Sequence, residues 1–371
     1  MSARVFIWVQ HLLGLGHYSR ACALAAALRD GGFAVTLASG GMSPPNSAPQ
    51  GVAFVQLPPA RAKDELFDEL IDEQGALVTQ AWHDKRRDAL LSAFDTARPE
   101  VVITETFPFG RRLLNSELHA LIDAAKSRPN KPLIVASLRD ILQRPRKDNR
   151  AADMVAYARE NYDALLVHGD PTIVRLEESF AETKALSAIA HYTGYMYTPP
   201  TPSVPADEIL ISAGGGAAGT KLIETALRAH EHTRSKHRHW TLVTGPLAEG
   251  VSSASQDVTI VRSLPDFRSR LAGAAVSVSQ AGYNTLVDAV AAGTPTLAVP
   301  FETDREKEQR LRAEKFAARG WIKLMHQQDL TPETLAAAID ALAQTKRNPA
   351  KLDLNGGAAS AAILKQLLQR S

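Results

Sequence analysis

Short, uninterrupted apolar runs alternate with helical stretches along the chain, and this alternation constrains the fold more than any other feature. In the first half the runs are RVFIWVQ, AVTLAS, VAFVQLP, VVITET, LIVASL and ALLVHG. Their apolar character is continuous rather than every second residue, which implies burial on both faces, as in a parallel sheet. The stretches between them predict helices over His17–Asp30, from Lys63 to about Thr96, and over Arg111–Ser127. This is βαβ repetition. The proline-rich stretch Tyr192–Asp207 has no helical period and reads as a linker. Beyond it the alternation restarts with EILISAG, WTLVTGP, VTIVRSL, AAVSVSQ and TLAVPF. A length of 371 residues suits two domains. The expectation is an α/β chain of two doubly wound domains, 1–198 and 199–371, facing each other across a cleft. The helix expected in the tail GGAASAAILKQLLQRS is free to cross back and brace the first domain.

Charge and cysteine content narrow the function. Lys and Arg number 42 against 40 Asp and Glu, so no basic surplus calls for a nucleic-acid partner. The slightly basic isoelectric point allows weak attraction to an anionic membrane surface. The single cysteine, Cys22, excludes a disulfide framework and points to a reducing compartment. MSARVFIWVQ lacks the apolar core and cleavage site of a signal peptide, and no apolar run approaches the ~20 residues of a membrane span. A cytoplasmic protein is expected, at most peripheral to the inner face of a membrane.

In open α/β sheets, ligands bind beyond the carboxyl ends of the strands. Gly14-Leu15-Gly16-His17-Tyr18-Ser19 follows the first strand. A dinucleotide fingerprint would need an acid at the end of the second strand, which ends TLASGG, and a P-loop would need Gly-Lys-Ser/Thr. Neither is present. Gly14 and Gly16 still permit close approach to the backbone, and a helix start favours negative charge. His17 there is either a cap or a general base, since an imidazole titrates near neutral pH. Glu105, at the end of VVITE, is a second base candidate. Phe107 and Phe109 flank an aromatic turn before Arg111 and Arg112, and pack or meet an acceptor. Arg139 and Arg144, past another strand end, suit an anionic acceptor or a solvated loop.

The second half carries four stretches at strand ends. Gly214, Gly215 and Gly216 stand between a strand and a helix, where free N–H groups can cradle a diphosphate. VRSLPDF contains Ser263 and Leu264, whose backbone is placed to read a base edge. In SVSQAGYNTLVDAVAAGTP a strand ends at Ser279, the chain turns at Gly282, and Asp288 falls one turn into a helix. There its carboxylate could accept ribose hydroxyls or simply face solvent. After TLAVPF, Glu308 and Gln309 offer a carboxylate and an amide for sugar hydroxyls, on a helix otherwise rich in i,i+4 ion pairs. The sequence has no Asp-x-Asp, and the histidines of RAHEHTRSKHRHW fall in a polar helix end and loop, so no metal is expected.

The order of these pieces resembles the donor half of the GT-B nucleotide-sugar glycosyltransferases, most closely family 28, the family of MurG. SQAGYNTLVDAVAAGTPTLAVPF is similar to that family's S-x-(G/A)-x-x-T-x-x-E-x-x-x-x-G-x-P-x-x-x-(V/I)-P pattern, and GLGHYSRA to its acceptor-side G-x-G-G-H loop. Ser137–Leu142 and Glu105–Arg112 resemble signatures of a group of bacterial predicted glycosyltransferases. The resemblance implies two Rossmann-like domains. It implies that Gly214, Gly215 and Gly216 contact the donor diphosphate and that Ser263 and Leu264 meet uracil. Ser279 and Gly282 shape the donor site, Asp288 holds the ribose, and Glu308 with Gln309 holds the sugar. Asp288 stands where the family usually has Glu, and Glu308 where it often has Gln.

The function implied is an inverting, metal-independent transfer of a sugar from a nucleotide diphosphate sugar to a hydroxyl acceptor. The donor is expected to be a UDP-hexose or UDP-N-acetylhexosamine, as co-substrate and without a further cofactor. His17 or Glu105 would be the base. Gly14, Gly16, Phe107, Phe109, Arg111 and Arg139 would meet an acceptor that is lipid-linked or anionic. Alternatives are a UDP-sugar 2-epimerase, which would work without an acceptor, and a non-catalytic sugar-nucleotide-binding subunit, which would tolerate loss of His17 and Glu105.

Overall fold

The computed structural model describes residues 2–43, 48–64, 67–145, 147–201, 206–213, 217–245, 255–302 and 307–370. The chain divides into two compact units, one formed by Met1–Tyr197 with Asp353–Ser371, the other by Thr198–Leu352. In chain order the strands of the first unit are β1 (Arg4–Val9), β2 (Ala34–Ser39), β3 (Ala53–Gln56), β4 (Arg61–Ala62), β5 (Leu70–Ile71), β6 (Val101–Glu105), β7 (Leu133–Arg139), β8 (Ala164–His168) and β9 (Ala190–Tyr192). Seven of them form one sheet of order β3-β2-β1-β6-β7-β8-β9, with every neighbouring pair parallel. Its helices are α1 (Gly16–Asp30), α2 (Gln80–Ala97), α3 (Asn115–Lys126), α4 (Asp148–Asn161) and the short α5 (Leu176–Ser179).

The continuous apolar runs are explained by burial on both faces of this sheet. Phe6 and Trp8 of β1 join Val102, Ala136 and Leu138 in one core, while Val5, Ile7 and Val9 join Ile103 and Val135 in another. The second core is closed by α1 and by Gly356–Leu368, which follows the other unit in the chain. Small residues set that contact. A Cβ at Gly357 would stand 2.5 Å from the Ala27 Cβ, and one at Gly31 2.8 Å from the Ala361 Cβ.

The helix expected from Lys63 to Thr96 is shorter than its charge pattern suggests. β4 and β5 form an antiparallel hairpin, Gly75 turns the chain at φ 81°, and α2 starts only where the Thr79 hydroxyl accepts from the Trp82 N–H at 3.3 Å. The helix expected from Arg111 begins as a 3-10 turn, Arg112–Leu114, because Arg111 itself sits at φ 67°. Thr193–Tyr197, read as linker, is anchored in the first unit, where the Tyr195 N–H donates to the Asp353 carbonyl at 2.7 Å.

The second unit repeats the plan. Its strands are β10 (Glu208–Ser212), β11 (His239–Val243), β12 (Val258–Val261), β13 (Val276–Ser279), β14 (Thr296–Ala298) and β15 (Lys323–Leu324), in the order β12-β11-β10-β13-β14-β15. They too are parallel throughout. The helices are α6 (Ala217–His232), α7 (Phe267–Gly273), α8 (Tyr283–Ala292), α9 (Glu308–Ala317) and α10 (Pro332–Leu342); α11 (Gly356–Leu368) belongs to the first unit. Ile209, Ile211, Trp240, Leu242 and Val278 pack with Leu222, Leu335 and Ile339 from α6 and α10. Leu210 joins Leu271 and Ala289 on the opposite face. In each sheet the order of connection reverses beside the first strand, between β1 and β6 and between β10 and β13. The loops that follow those strands diverge there, which opens the place where such sheets bind ligands.

Candidate functional site

At the switch point of the first unit, two chain segments far apart in sequence converge. β1 leads into exposed Gly14-Leu15-Gly16 and then α1, whose first turn has neither a side-chain cap nor an acidic residue. Its N-terminal N–H groups therefore favour an anion. The neighbouring β6 ends in Glu105. The His17 Nδ1 lies 2.8 Å and 3.0 Å from the two Glu105 carboxylate oxygens. Thr106 Oγ1 lies 3.4 Å from the same nitrogen. A carboxylate only accepts, so Nδ1 carries the proton and Nε2 keeps its lone pair.

Arginines surround this pair. Arg20, one turn beyond His17, donates to Glu105 Oε1, and Arg111 Nη2 lies 3.5 Å from Oε2. Arg139, at the end of β7, is close enough to act on both His17 and Arg111 electrostatically. Burial works against ionisation of Glu105, but His17, Arg20 and Arg111 outweigh it and hold its pKa well below the usual range. Burial, assisted by the Arg111 charge, pushes His17 down to about 3, so the ring is neutral at physiological pH. Its side chain remains 21% exposed, whereas that of Glu105 is 1% exposed. The backbone here departs from ordinary geometry. Thr106 and Arg111 both have φ of 67°, a conformation that costs non-glycine residues of order 1–3 kcal/mol and gathers at functional sites.

The switch point of the second unit uses fewer charges. β13 ends at Ser279, Gly282 precedes α8, and open space lies on the side where a Gly282 side chain would project. Asp288, on α8, is gripped by Arg268 through two hydrogen bonds of 2.7 Å and 2.6 Å. Burial raises the Asp288 pKa against the opposing pull of Arg268. The Gln309 side-chain oxygen accepts from the Ala281 N–H at 3.1 Å and the Phe301 N–H at 3.0 Å, joining the turns after β13 and β14. Buried Arg312 donates to Glu308 at 2.8 Å and to the Ala281 carbonyl at 3.2 Å, with its guanidinium over the Tyr283 ring.

Residues 210–367 match the C-terminal domain of glycosyltransferase family 28. This segment belongs to glycosyltransferase family 28. It is 27% identical over 150 residues to the UDP-N-acetylglucosamine--N-acetylmuramyl-(pentapeptide) pyrophosphoryl-undecaprenol N-acetylglucosamine transferase of Rhizobium rhizogenes, covering 38% of this chain and 40% of that one. The Brucella suis transferase of the same name is 26% identical over 171 residues, 44% of each chain. The chain thus matches less than half the length of these curated relatives. Over whole chains the fold is that of the GT-B glycosyltransferases. The calicheamicin glycosyltransferase CalG4 superposes with a TM-score of 0.61 at 16% identity, over 100% of this chain and 99% of that one. MurG from Acinetobacter baumannii gives 0.57 at 14% identity, over 98% and 99%. VinC, solved in complex with dTDP, gives 0.57 at 17% identity, over 98% and 94%.

Within the family 28 segment, Gly214, Gly215 and Gly216 lie outside the described residues. Ser263 is exposed, and Leu264 caps the turn into α7 by accepting from the Phe267 N–H at 3.2 Å. Three side chains expected to face a donor are buried or otherwise engaged. Ser279 is fully buried, with its carbonyl committed to Val299; Glu308 turns inward to Arg312; and the Gln309 oxygen serves two backbone amides. The Asp288 carboxylate is likewise engaged, by Arg268.

In the first unit, Phe107 and Phe109 are core residues and present no aromatic surface to an acceptor. Phe107 meets His119 and Tyr157 edge-on, each at 5.7 Å, and Phe109 meets Phe180 at 5.7 Å. The Glu105 side chain is 1% exposed and accepts from His17 Nδ1. Arg144 is committed to Glu182 and Asp148. Sequence reading missed Arg20 and Arg268 and took Arg312, which is buried, for an exposed ion-pair residue. Only Arg20 left a signal, three residues after His17 and hence on the same helical face. Among the described residues no group of His, Cys, Asp or Glu is arranged to hold a metal ion. No described helix is long and apolar enough to cross a membrane.

Proposed function

We propose that the chain is an inverting glycosyltransferase that moves a sugar from a nucleoside diphosphate sugar to a hydroxyl acceptor without a metal. The observation that carries this reading is the His17–Glu105 pair on a fold whose C-terminal segment belongs to family 28. The acceptor hydroxyl gives its proton to His17 Nε2 while its oxygen attacks the anomeric carbon. The bond from that carbon to the diphosphate oxygen breaks, and the electron pair leaves with the nucleotide. Glu105 stabilises the imidazolium as it forms and fixes the ring, the role of the third member of a catalytic triad. General-base help of this kind contributes about 10²–10⁴-fold. The second unit takes the nucleotide, with Asp288 on the ribose and the start of α6 toward the diphosphate, where main-chain N–H groups replace a metal's charge. The first unit takes the acceptor.

The relatives' names favour a UDP-linked N-acetylhexosamine, whereas VinC was solved with dTDP. A thermal-shift screen of UDP-, dTDP- and GDP-sugars tests the donor, since a ligand of the folded state raises its apparent stability. A selective rise with UDP-sugars is expected. No rise with any nucleotide sugar would overturn the reading.

A further inference from the structure

Resting on the reading that the second unit holds the nucleotide, we infer that Arg268 aims the Asp288 carboxylate at a ribose diol, and that the pair selects donors built on a ribonucleoside over those built on a 2′-deoxyribonucleoside. The argument begins with two arginines on one short helix. Arg270 serves the sheet. Its Nε donates to Glu208 at 3.3 Å and its Nη2 to Thr241 at 2.8 Å, which ties α7 to β10 and β11. Arg268 turns to α8 instead. Its Nε and Nη2 donate to the two oxygens of Asp288 at 2.7 Å and 2.6 Å, one bond to each. Helix stability does not account for Arg268, because it stands in the first turn of α7, where the helix dipole disfavours a cation. Nor does folding energy. Its side chain is 39% exposed, against 11% for Asp288, and an ion pair open to water on one side adds little.

The geometry of the pair suits a diol. A carboxylate has two lone-pair positions on each oxygen. The guanidinium fork takes one on each and fixes the plane of the group. The two that remain are held side by side, facing away from the arginine. Ribose presents two neighbouring hydroxyls to such an acceptor, whereas 2′-deoxyribose presents one. Burial works against the charge of Asp288 and Arg268 sustains it, so the carboxylate stays an acceptor only. A deoxynucleotide leaves one of its half-enclosed lone pairs unmatched, and a site built to bond a hydroxyl rejects the analogue that lacks it. Arg268 does not touch the nucleotide in this scheme. It is a positioning residue that acts through Asp288.

The test compares UDP with its 2′-deoxy form, which share base and diphosphate, by calorimetry on the full chain at fixed pH and ionic strength. The unaltered chain should bind UDP about ten-fold or more tighter than the deoxy form. Arg268→Ala and Asp288→Ala should each bring that ratio to about one by weakening UDP. The double variant should bind UDP no more weakly than Asp288→Ala alone, because the two residues act as one unit. Arg268→Lys keeps the charge without the fork and should retain part of the ratio; it carries the test if the alanine variant folds poorly. Arg270→Gln should lower the urea midpoint and leave the ratio unchanged.

The outcomes separate the two claims. No binding of UDP, or a ratio that survives Asp288→Ala, removes the ribose reading and the inference with it. A ratio lost in Asp288→Ala but kept in Arg268→Ala overturns the inference alone, as does equal affinity of the unaltered chain for the two nucleotides. Tighter UDP binding by Arg268→Ala also overturns it, since the arginine would then compete with ribose. So does a further loss from Arg268→Ala in the Asp288→Ala background, which would put the guanidinium on the nucleotide itself.

Discussion

The two units share a topology but equip their switch points differently. The first surrounds one titratable ring with buried charge and strained backbone, while the second ties its loops together through Gln309 and Arg312 and holds one acid, Asp288, against a single arginine, Arg268. The same sheet order thus offers the same place twice, and the side chains decide what is done there. A proton acceptor needs its ring fixed and its tautomer specified, which takes close charged partners. A nucleotide needs shape and main-chain donors, which take well-anchored turns.

The sharpest way to break this contrast is His17→Ala. Turnover should fall about 10²–10⁴-fold, with nucleotide-sugar affinity by calorimetry unchanged; equal turnover would remove the first unit from the chemistry. Next in size is Arg86→Ala, which leaves Glu117 buried without its partner and should cost about 3–5 kcal/mol of stability in urea unfolding. The folded fraction should keep its turnover, which separates structural from functional arginines within one unit. Gly357→Ala forces a Cβ into Ala27 and should lower the stability of the first unit by about 1–3 kcal/mol, without altering hydrogen-exchange protection in the second. Asp288→Ala should weaken UDP binding about ten-fold, the scale of one charged hydrogen bond; calorimetry showing unaltered affinity would leave the second unit without its ribose ligand.

Acid provides the finest test. His17 and His168 are both held at about 3, chiefly by burial, against about 6.5 in an unfolded chain. The unfolded state therefore binds more protons between those values, and stability falls as pH drops from about 6.5 toward 3 while staying flat above. Urea unfolding at stepped pH should show about one proton taken up per histidine, and His17→Ala should remove one of them.

Much of this was legible in the sequence. The strands declared themselves because burial on both faces leaves continuous apolar runs, and the loop at His17 stood out because glycine seldom precedes a helix without reason. What the sequence hid was partnership. That His17 meets Glu105, 88 residues away, follows from strand order, which no local pattern encodes. Phe107 and Phe109 read equally as packing or as an acceptor contact, because glycine and proline flank them, and only the fold shows that the turn packs inward. Glu308 looked available because its helix is charged all round; only packing shows that Arg312 faces inward with it. The edge strands β9 and β15 were too short to leave a period.

The return of α11 to α1 bears on how the molecule is made. During synthesis the sheet of the first unit emerges early, but the helix that covers α1 is translated after all of Thr198–Leu352. The later-made unit is contiguous and free to finish first, while the earlier one waits on the ribosome with an apolar flank uncovered. A stalled or clipped product ending near residue 352 would carry a complete second unit and an unfinished partner, and quality control should recognise it by that open flank.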